Sequence, residues 1–387
     1  MIFQPQLRIP GPTPLPDRVV RAMSRPMIDH RGPEFAATLA EVTAGAKRVF
    51  GTTSDLLLLS CSGTGALESM VANLVSPGES VVVASCGNFG ERLIAICRAY
   101  RAQVVAFEAE WGRPVTPAEL AGVLEAHPEA GVVFLTHNET STGLTNPIRE
   151  LAEVAREAGR LVAVDGVSSV SSIPVEMDSW GIDVLASGSQ KGWMAPPGIA
   201  MVAASEAAWE RQRKATSPRF YLDWTGARKN AVDGMTPFTP AISVVFALQE
   251  GIRMLEEEGL EAVYARHRRI AAAAAAGLEA AGFTLFAAQG YRSATVTSAL
   301  PPAGLDVGAF RKLLRERFGV VLGGGQGKMK GRLVRVGHLG AVADGDMVQV
   351  LWAVERALEE LDVAPAQGVA VTAACRVLSQ EAAGARA

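Results

Sequence analysis

The sequence predicts an α/β protein with a large domain on a doubly wound, mostly parallel seven-stranded sheet and a smaller C-terminal α+β domain. One observation is that short apolar runs alternate with helical stretches up to about residue 205. Such alternation is typical of parallel sheets with helical crossovers. The other is that the pattern then changes to long helices with short strand-like pieces between them.

The predicted strands of the large domain are mostly uninterrupted runs of Val, Leu and Ile. Bare apolar runs without polar alternation are expected of strands that are covered on both faces. The seven runs are Leu56–Leu59, Ser80–Ser85, Val104–Phe107, Val132–Thr136, Leu161–Asp165, Asp183–Ala186 and Ile199–Ala203.

Helical stretches separate these strands. One of them opens with Thr116 and Pro117, an N-cap residue followed by a proline at the first helical position. The predicted helices are Gly65–Leu74, Glu91–Ala99, Pro117–Ala126 and Ile148–Ala158.

Beyond residue 205 the sequence predicts two long helices, then a mixed region. The run Ala271–Ala276 favours helix, since alanine is the best helix former. The last 24 residues, 364–387, are alanine-rich without clear periodicity, and we expect a weakly ordered tail there. The predicted elements are helices Pro240–Glu258, Leu260–Ala281, Val307–Phe318 and Gly345–Leu361, and strands Thr295–Thr297 and Leu333–Val336.

Length and composition limit the functional classes. A chain of 387 residues, 49% hydrophobic and 20% charged, is typical of a globular enzyme of two domains. Its net charge of −3 offers no overall field for nucleic acid. Four cysteines without paired spacing predict neither a disulfide framework nor a metal site. No apolar run reaches the ~20 residues of a membrane span and no N-terminal signal is evident, so we expect a cytoplasmic protein.

A lysine and an aspartate each follow the end of a predicted strand. Lys191 lies in the polar, glycine-containing segment Ser187–Gly192, and Asp165 ends the run Leu161–Asp165. Ligands of open α/β sheets bind beyond the carboxyl ends of the strands. Pyridoxal phosphate (PLP) needs such a pair: an amine for a Schiff base and a carboxylate for its pyridinium nitrogen. The alternatives are a surface lysine and a loop-capping aspartate.

A possible phosphate site lies at Ser62–Gly65, where a predicted strand leads into a helix. Backbone N–H groups at a helix start, beside small hydroxyl groups, bind phosphate. The alternative is a simple capped helix. The segment is not a dinucleotide fingerprint, because Glu68 stands where the third glycine would be.

Three further parts of the chain are candidates for contact with the cofactor or the substrate. Phe89 follows the strand Ser80–Ser85 and could stack on a planar ring, although a core phenylalanine is almost equally common. The polar segment His137–Gly143 offers hydroxyl and amide groups that could bond a phenolic oxygen. Arg335 stands between apolar neighbours and needs an anionic partner, either a substrate carboxylate or an internal acid.

Together these motifs resemble the class V, fold-type-I PLP-dependent aminotransferases of the alanine/serine–glyoxylate family. The resemblance extends from Pro10–Thr13 to Arg335–Gly337. Its most specific part combines Asp183–Lys191 and Ala195–Gly198 with Asp165–Ser169.

The resemblance implies a role for each matching residue. Lys191 would form the Schiff base, Asp165 would pair with the pyridine nitrogen, and Arg335 would bind the substrate carboxylate near Gly11. The remaining cofactor contacts are stacking by Phe89, a hydroxyl near the ring oxygen from Thr140, and phosphate binding. The implied phosphate ligands are Ser62, Gly63, Thr64 and Gln190, with Thr239 contributed by the partner subunit of a homodimer.

The resemblance also implies domain limits and a reaction. Residues 1–20 would line the active site, residues 21–255 would form the large PLP-binding domain, and residues 256–363 the small domain. The reaction would be ping-pong transamination from a small amino acid, alanine or serine, to glyoxylate or pyruvate, with Lys191 as the general base. The preferred donor stays open.

Two alternatives remain. One is a cysteine desulfurase-like PLP enzyme, for which Cys375 is the only late cysteine. The other is a non-catalytic subunit that has kept the fold, since a fold alone does not determine function.

Overall fold

The structure, a computed structural model, describes residues 5–363 and 367–384 of the chain. In this part, the strands are β1 (Gln6–Arg8), β2 (Asp55–Leu59), β3 (Ser80–Ser85), β4 (Gln103–Glu108), β5 (Val132–Thr136), β6 (Asn138–Glu139), β7 (Leu144–Thr145), β8 (Leu161–Asp165), β9 (Val184–Gly188), β10 (Ala200–Ala204), β11 (Thr284–Leu285), β12 (Val296–Leu300), β13 (Val320–Gly324) and β14 (Val334–Gly337).

The helices alternate with the strands through most of the chain. They are α1 (Asp17–Met23), α2 (Pro33–Phe50), α3 (Gly63–Leu74), α4 (Asn88–Ala99), α5 (Pro117–Ala126), α6 (Ile148–Glu157), α7 (Glu206–Lys214), α8 (Trp224–Val232), α9 (Ile242–Glu258), α10 (Leu260–Ala280), α11 (Val307–Arg317), α12 (Asp344–Glu360) and α13 (Val369–Gly384).

The large sheet has seven strands in the order β2-β10-β9-β8-β5-β3-β4, which confirms the predicted architecture. Strands β9, β8, β5, β3 and β4 run parallel, and β10 is antiparallel to both of its neighbours. Strand β2 therefore points in the same direction as β9. As a result, the loops after β2, β3, β5, β8 and β9 all leave from one edge of the sheet, where ligands of such folds bind.

The apolar runs are explained by burial on both faces of this sheet. In β3, Val82 and Ala84 pack into one apolar layer, whereas Val81 and Val83 pack into the layer on the other face. None of the four is more than 3% exposed. Because successive side chains of a strand point to opposite faces, both sets must be apolar when helices cover both sides.

The second sheet has the order β1-β13-β14-β12-β11. Its first strand, β1, comes from the N-terminus and pairs in parallel with β13. The backbone of Ile9 and Pro10 then passes against Gly337 at the end of β14. The N-terminal segment is therefore tied to the second sheet before it reaches the large one. The predicted limits of the domains stay a prediction.

The starts of two helices show where the neighbouring sequence is enough to predict a helix boundary and where it is not. Helix α5 begins at Pro117 as predicted, and its cap consists of reciprocal bonds between Thr116 and Glu119. Helix α4 begins at Asn88, three residues before the predicted start at Glu91. Its first N–H groups are bound by side chains of a distant loop, described below, and this long-range cap has no local signature.

The prediction of a weakly ordered tail at 364–387 is wrong for the part that forms helix α13. This helix packs against α10 and α12, with Ala370 and Ala374 fully buried and Leu378 9% exposed. The Glu355 carboxylate accepts hydrogen bonds from the N–H groups of Gly368 and Val371, at 3.1 and 3.3 Å. The small alanines allow a close approach of the helices, so they indicate packing rather than disorder. Residues 364–366 and 385–387 lie outside the described residues.

Two structural properties bear on the protein classes that the sequence argues against, namely membrane-spanning and disulfide-linked proteins. No helix within residues 5–363 and 367–384 is long and apolar enough to cross a membrane. All four cysteines are free thiols, and Cys86 and Cys97 are buried.

Candidate active site

Lys191 lies in the turn that follows β9, and its side chain is only 9% exposed. Its Nζ donates a hydrogen bond to the carbonyl of Pro10 at 2.8 Å. The neighbouring Gly11 has a φ of +122°, and a Cβ there would lie 2.8 Å from Lys191 Nζ. A glycine is needed at this position, both for the backbone conformation and for the close approach. The N-terminal segment thus covers the amine.

Burial changes the acid–base behaviour of Lys191. It lowers the pKa of the amine to about 8, an effect that Asp165 opposes and that the charges of Arg335 and Arg92 reinforce. An ordinary lysine has a pKa of ~10.4 and is almost wholly protonated at neutral pH. A much larger fraction of Lys191 is therefore the neutral, nucleophilic amine.

Asp165 ends strand β8, immediately beside β9 in the sheet, and is 5% exposed. Burial raises the pKa of its carboxyl group to about 6, although the Val167 N–H and the charges of Lys191 and Arg92 act in the opposite direction. Val167 donates that bond at 2.9 Å. The sheet thus brings a buried amine and a buried carboxylate close enough to influence each other's titration.

The segment proposed to bind phosphate, Ser62–Gly65, opens helix α3. Ser62 is the N-cap, and its side chain accepts a bond from the Gly65 N–H at 3.4 Å. A Cβ on Gly63 would lie 2.8 Å from Val167 Cγ1, so this helix start contacts the loop that follows Asp165. We call the backbone and hydroxyl groups of Ser62–Gly65 the phosphate cup.

Gln190 lies beside the phosphate cup. A Cβ on Gly188 would lie 2.9 Å from the Gln190 Oε1 atom and 3.4 Å from Gly63 Cα. Among the described residues, no hydrogen-bond partner reaches this buried amide oxygen. A buried polar atom without a partner is costly, which is expected where a ligand completes the hydrogen bonding.

Phe89 stands in the first turn of α4, at the same edge of the sheet. Its N–H and that of Gly90 donate to Glu139 Oε2 at 3.0 and 3.1 Å. The Asn88 N–H donates to Ser141 Oγ at 2.9 Å, and the Ser141 hydroxyl donates to Glu139 Oε1 at 2.5 Å. Glu139, which is fully buried, therefore holds the helix start that carries the aromatic ring.

Thr140 follows Glu139 in the chain and is 3% exposed. Its hydroxyl shares a hydrogen bond of 2.7 Å with Ser168, in the loop that follows Asp165. Its carbonyl accepts a bond from Arg335 Nη1 at 3.1 Å. His137 begins the same segment, and burial lowers the pKa of its imidazole to about 4.

Arg335, on β14 of the second sheet, is 6% exposed and reaches the same loop. Its Nε donates to the Gly324 carbonyl at 2.7 Å, but no carboxylate of the described residues lies within 4.0 Å of it. Burial lowers the pKa of its guanidinium to about 10. Of the two predicted partners, an internal acid is therefore not found in the described part of the chain.

Arg92 is a site residue that the sequence analysis missed. Its Nη1 donates to the Thr64 hydroxyl at 3.0 Å, and its guanidinium carbon lies 4.7 Å from the centre of the Phe89 ring. Arg92 stands three residues after Phe89 on α4. That spacing places the two on one helix face, but it is far too common to have identified a site residue.

Within a single chain, Thr239 is the one predicted site residue that lies away from the other predicted site residues. It is exposed, and its hydroxyl lies 3.4 Å from His30 Nε2. Its predicted role concerns the partner subunit of a dimer and stays a prediction.

Comparison with known proteins identifies the family. The family model described as aminotransferase class V matches residues 7–336 of this chain. The protein belongs to the class V aminotransferase family. Its fold is that of the PLP-dependent transferases of fold type I, as the resemblance implied.

Three relatives show the range of proteins that this chain resembles. A serine–glyoxylate aminotransferase of Methylorubrum extorquens is 34% identical over 377 residues, covering 94% of both chains. A protein named soluble hydrogenase, small subunit, of Synechococcus is 41% identical over 379 residues, covering 96% of this chain and 98% of the relative. The crystal structure of ureidoglycine–glyoxylate aminotransferase from Bacillus subtilis superposes with a TM-score of 0.92 at 28% identity, covering 98% and 99% of the chains.

Proposed function

We propose that this protein is a PLP-dependent transaminase that moves an amino group from alanine or serine to glyoxylate or pyruvate. The observation that carries the proposal is the pairing of Lys191 with Asp165, a buried amine and a buried carboxylate after neighbouring strands. A structural role requires neither the lowered pKa of the amine nor the raised pKa of the acid.

The donor groups around this pair fit PLP. The phosphate cup and Gln190 would hold the phosphate at the start of α3, where N–H groups and the helix dipole favour an anion. Phe89 would stack on the ring, and the Thr140 hydroxyl would bond the ring oxygen. The Gln190 amide would donate to the phosphate through Nε2, because the phosphate oxygens only accept. The Asp165 carboxylate would hold the pyridine nitrogen in its protonated form.

When bound, PLP supplies an aldehyde carbon that takes up the amino group and a protonated ring that withdraws electrons from the substrate Cα. Lys191 then serves as the base. As a neutral amine, its Nζ accepts the Cα proton of the substrate and later returns it, acting as a general acid. A pKa of about 8 suits both roles near neutral pH.

Arg335 would fix the substrate by its carboxylate. The guanidinium is buried, anchored by carbonyl groups, and has no anionic partner among the described residues. A planar guanidinium binds carboxylate through two parallel bonds and thereby orients Cα towards the base. We expect amino acids and 2-oxo acids to be substrates, in two half-reactions of a ping-pong cycle.

The proposal includes a homodimer. A cluster of exposed aromatic side chains supports the dimer. Phe220 is 82% exposed and Tyr221 is 47% exposed, and both pack against Phe238 beside Thr239. Exposed aromatic groups are enriched in interfaces. If a second copy covers this surface, Thr239 of one subunit would lie close to the phosphate cup of the other subunit. Light scattering during gel filtration tests the point; a monomer at micromolar concentration would contradict it.

A donor screen tests the reaction. The purified protein, loaded with PLP, is mixed with single amino acids, and loss of the visible absorbance of bound PLP reports the first half-reaction. Glyoxylate or pyruvate should restore that absorbance. The Lys191→Ala variant should support neither change at a measurable rate. Retained turnover in Lys191→Ala would refute the assignment.

A second candidate, a non-catalytic subunit of a larger complex, is favoured by the hydrogenase-subunit names of two relatives. In residues 5–363 and 367–384, no three His, Cys, Asp or Glu side chains are grouped so as to hold a metal ion. Failure of every amino acid in the donor screen would support this candidate. Conversion with any donor would exclude a purely structural role.

The desulfurase alternative finds little support in the cysteines. Burial raises the pKa of Cys61 to about 11, and Cys375 lies exposed on α13, which packs against α10 and α12. A sulfur-transferring cysteine should be an accessible thiolate near the cofactor. Sulfide release from cysteine would reverse this conclusion.

A further inference from the structure

Arg92 is a partly buried cation without an anionic partner. Its guanidinium makes one hydrogen bond, to Thr64, and no carboxylate among the described residues lies within 4.0 Å of it. An arginine side chain offers five N–H donors. Four of these donors are therefore left for water or a ligand.

Two contacts hold the Arg92 guanidinium in place. On one side it donates to Thr64 Oγ1, in the first turn of α3; on the other it lies over the Phe89 ring. A hydroxyl that accepts a bond from arginine keeps its own proton free to donate elsewhere. Arg92 thus orients the Thr64 hydroxyl as a donor at the phosphate cup.

The two arginines of the site lack anionic partners. Neither Arg92 nor Arg335 has a carboxylate within 4.0 Å among the described residues, and the charge of Arg92 acts on both Lys191 and Asp165. A phosphate bound between the cup and Arg92 would supply Arg92 with an anionic partner.

We propose that Arg92 is a phosphate-binding residue, which neutralises the cofactor phosphate and orients Thr64 as a donor to it. This inference rests on the proposed function, because it concerns the cofactor of that site. The competing explanation is that Arg92 only supports the Phe89 ring through a cation–π contact.

A comparison of two ligands separates these explanations. PLP and pyridoxal have the same ring and aldehyde, but only PLP carries phosphate. Both are titrated into the apoprotein and followed by quenching of tryptophan fluorescence. For Arg92→Gln, we expect the Kd of PLP to rise about 10- to 100-fold, as for loss of a charge-assisted hydrogen bond. The Kd of pyridoxal should change less than about threefold by the same reasoning, since it has no phosphate.

Two controls accompany this variant. Arg98→Gln removes an exposed arginine from the same helix and should leave both ligands unaffected. Arg92→Lys keeps the charge without the planar fork and should restore part of the PLP affinity. Equal weakening of PLP and pyridoxal, or no weakening of PLP, would overturn the inference.

The experiment remains decisive if Arg92→Gln fails to fold, because Arg92→Lys then serves in its place. Loss of the planar fork should raise the Kd of PLP by about threefold or more and leave that of pyridoxal unchanged; an unchanged ratio of the two affinities would refute the proposal. If the unaltered protein binds no PLP, the proposed function itself fails. If it binds PLP and Arg92→Gln binds equally well, only the role of Arg92 fails.

Discussion

Replacing Arg335 with methionine should selectively abolish the advantage of substrates that carry a carboxylate. The guanidinium is 6% exposed and bonded only to neutral oxygen atoms among the described residues. Methionine retains the apolar stem and much of the volume but removes the charge. The change therefore tests carboxylate binding rather than the packing of β14.

The expected magnitude follows from the pKa of Arg335. Burial lowers that pKa to about 10, against an ordinary value of ~12.5 or more. Because one pKa unit corresponds to about 1.4 kcal/mol, the charged form carries a penalty of about 3 kcal/mol in the empty site. A bound carboxylate offsets most of it. Loss of about 2–3 kcal/mol of that interaction lowers kcat/KM roughly 30- to 150-fold.

The assay compares two amines in the first half-reaction. Alanine and isopropylamine share the reacting carbon and a methyl group, but isopropylamine lacks the carboxylate. Single-turnover rates give kcat/KM for each. Arg335→Met should lower the value for alanine and leave the slow reaction of isopropylamine unchanged within about threefold, because that amine makes no carboxylate contact.

A matched control is Arg269→Met. Arg269 is a partly buried arginine on α10, and it donates to the Asp344 carboxylate at 2.9 Å. It should leave the ratio of the two substrates unaltered. If Arg335→Met slowed both amines by the same factor, Arg335 would act on the cofactor or the fold, and the reasoning would be refuted.

Three other perturbations test the remaining parts of the site. Asp165→Asn should keep PLP bound but lower kcat by about 10²-fold or more, because a neutral amide cannot hold the pyridine nitrogen protonated; an unchanged kcat would contradict that role. Glu139→Ala leaves the N–H groups of Phe89 and Gly90 without an acceptor, so the free energy of unfolding, measured with urea, should fall by about 2–5 kcal/mol. Glu139→Gln should lower it less, because the amide oxygen can still accept these bonds. Equal losses in the two variants would argue against this cap. Relative to Lys191→Met, the apoprotein should gain up to about 3 kcal/mol of unfolding free energy between pH 8 and 10.5, because the unfolded chain holds the Lys191 proton more tightly. The comparison cancels the opposing contribution of the buried thiols, whose raised pKa values act alike in both proteins, and a difference that does not change with pH would contradict the lowered pKa.

Local sequence patterns were sufficient for most of the large domain. The uninterrupted run Ser80–Ser85 is buried on both faces, and strands β5 and β8 have the predicted bounds. Helix α5 begins at the predicted proline. In each case the structure is determined either by the spacing of the buried residues or by a helix cap between residues no more than four positions apart. Both patterns are visible in the sequence.

Contacts between distant segments could not be predicted in this way. The start of α4 depends on Glu139, 50 residues further on. The role of Arg92 depends on Thr64, 28 residues earlier. Helix α13 was mistaken for a tail because its buried face consists largely of alanine, which carries little hydrophobic signal. The residues Lys191, Asp165 and Arg335 were found because amines, acids and guanidinium groups beside apolar runs are conspicuous in any sequence.

The central claim is that Lys191 captures PLP while Asp165 supports the ring, and chemical trapping tests it most directly. The protein is incubated with PLP at pH 8, reduced with borohydride and digested, and the peptides are analysed by mass spectrometry. The account predicts one irreversibly labelled residue, Lys191, and no label after Lys191→Ala. Labelling of another lysine, with Lys191 unmodified, would contradict it.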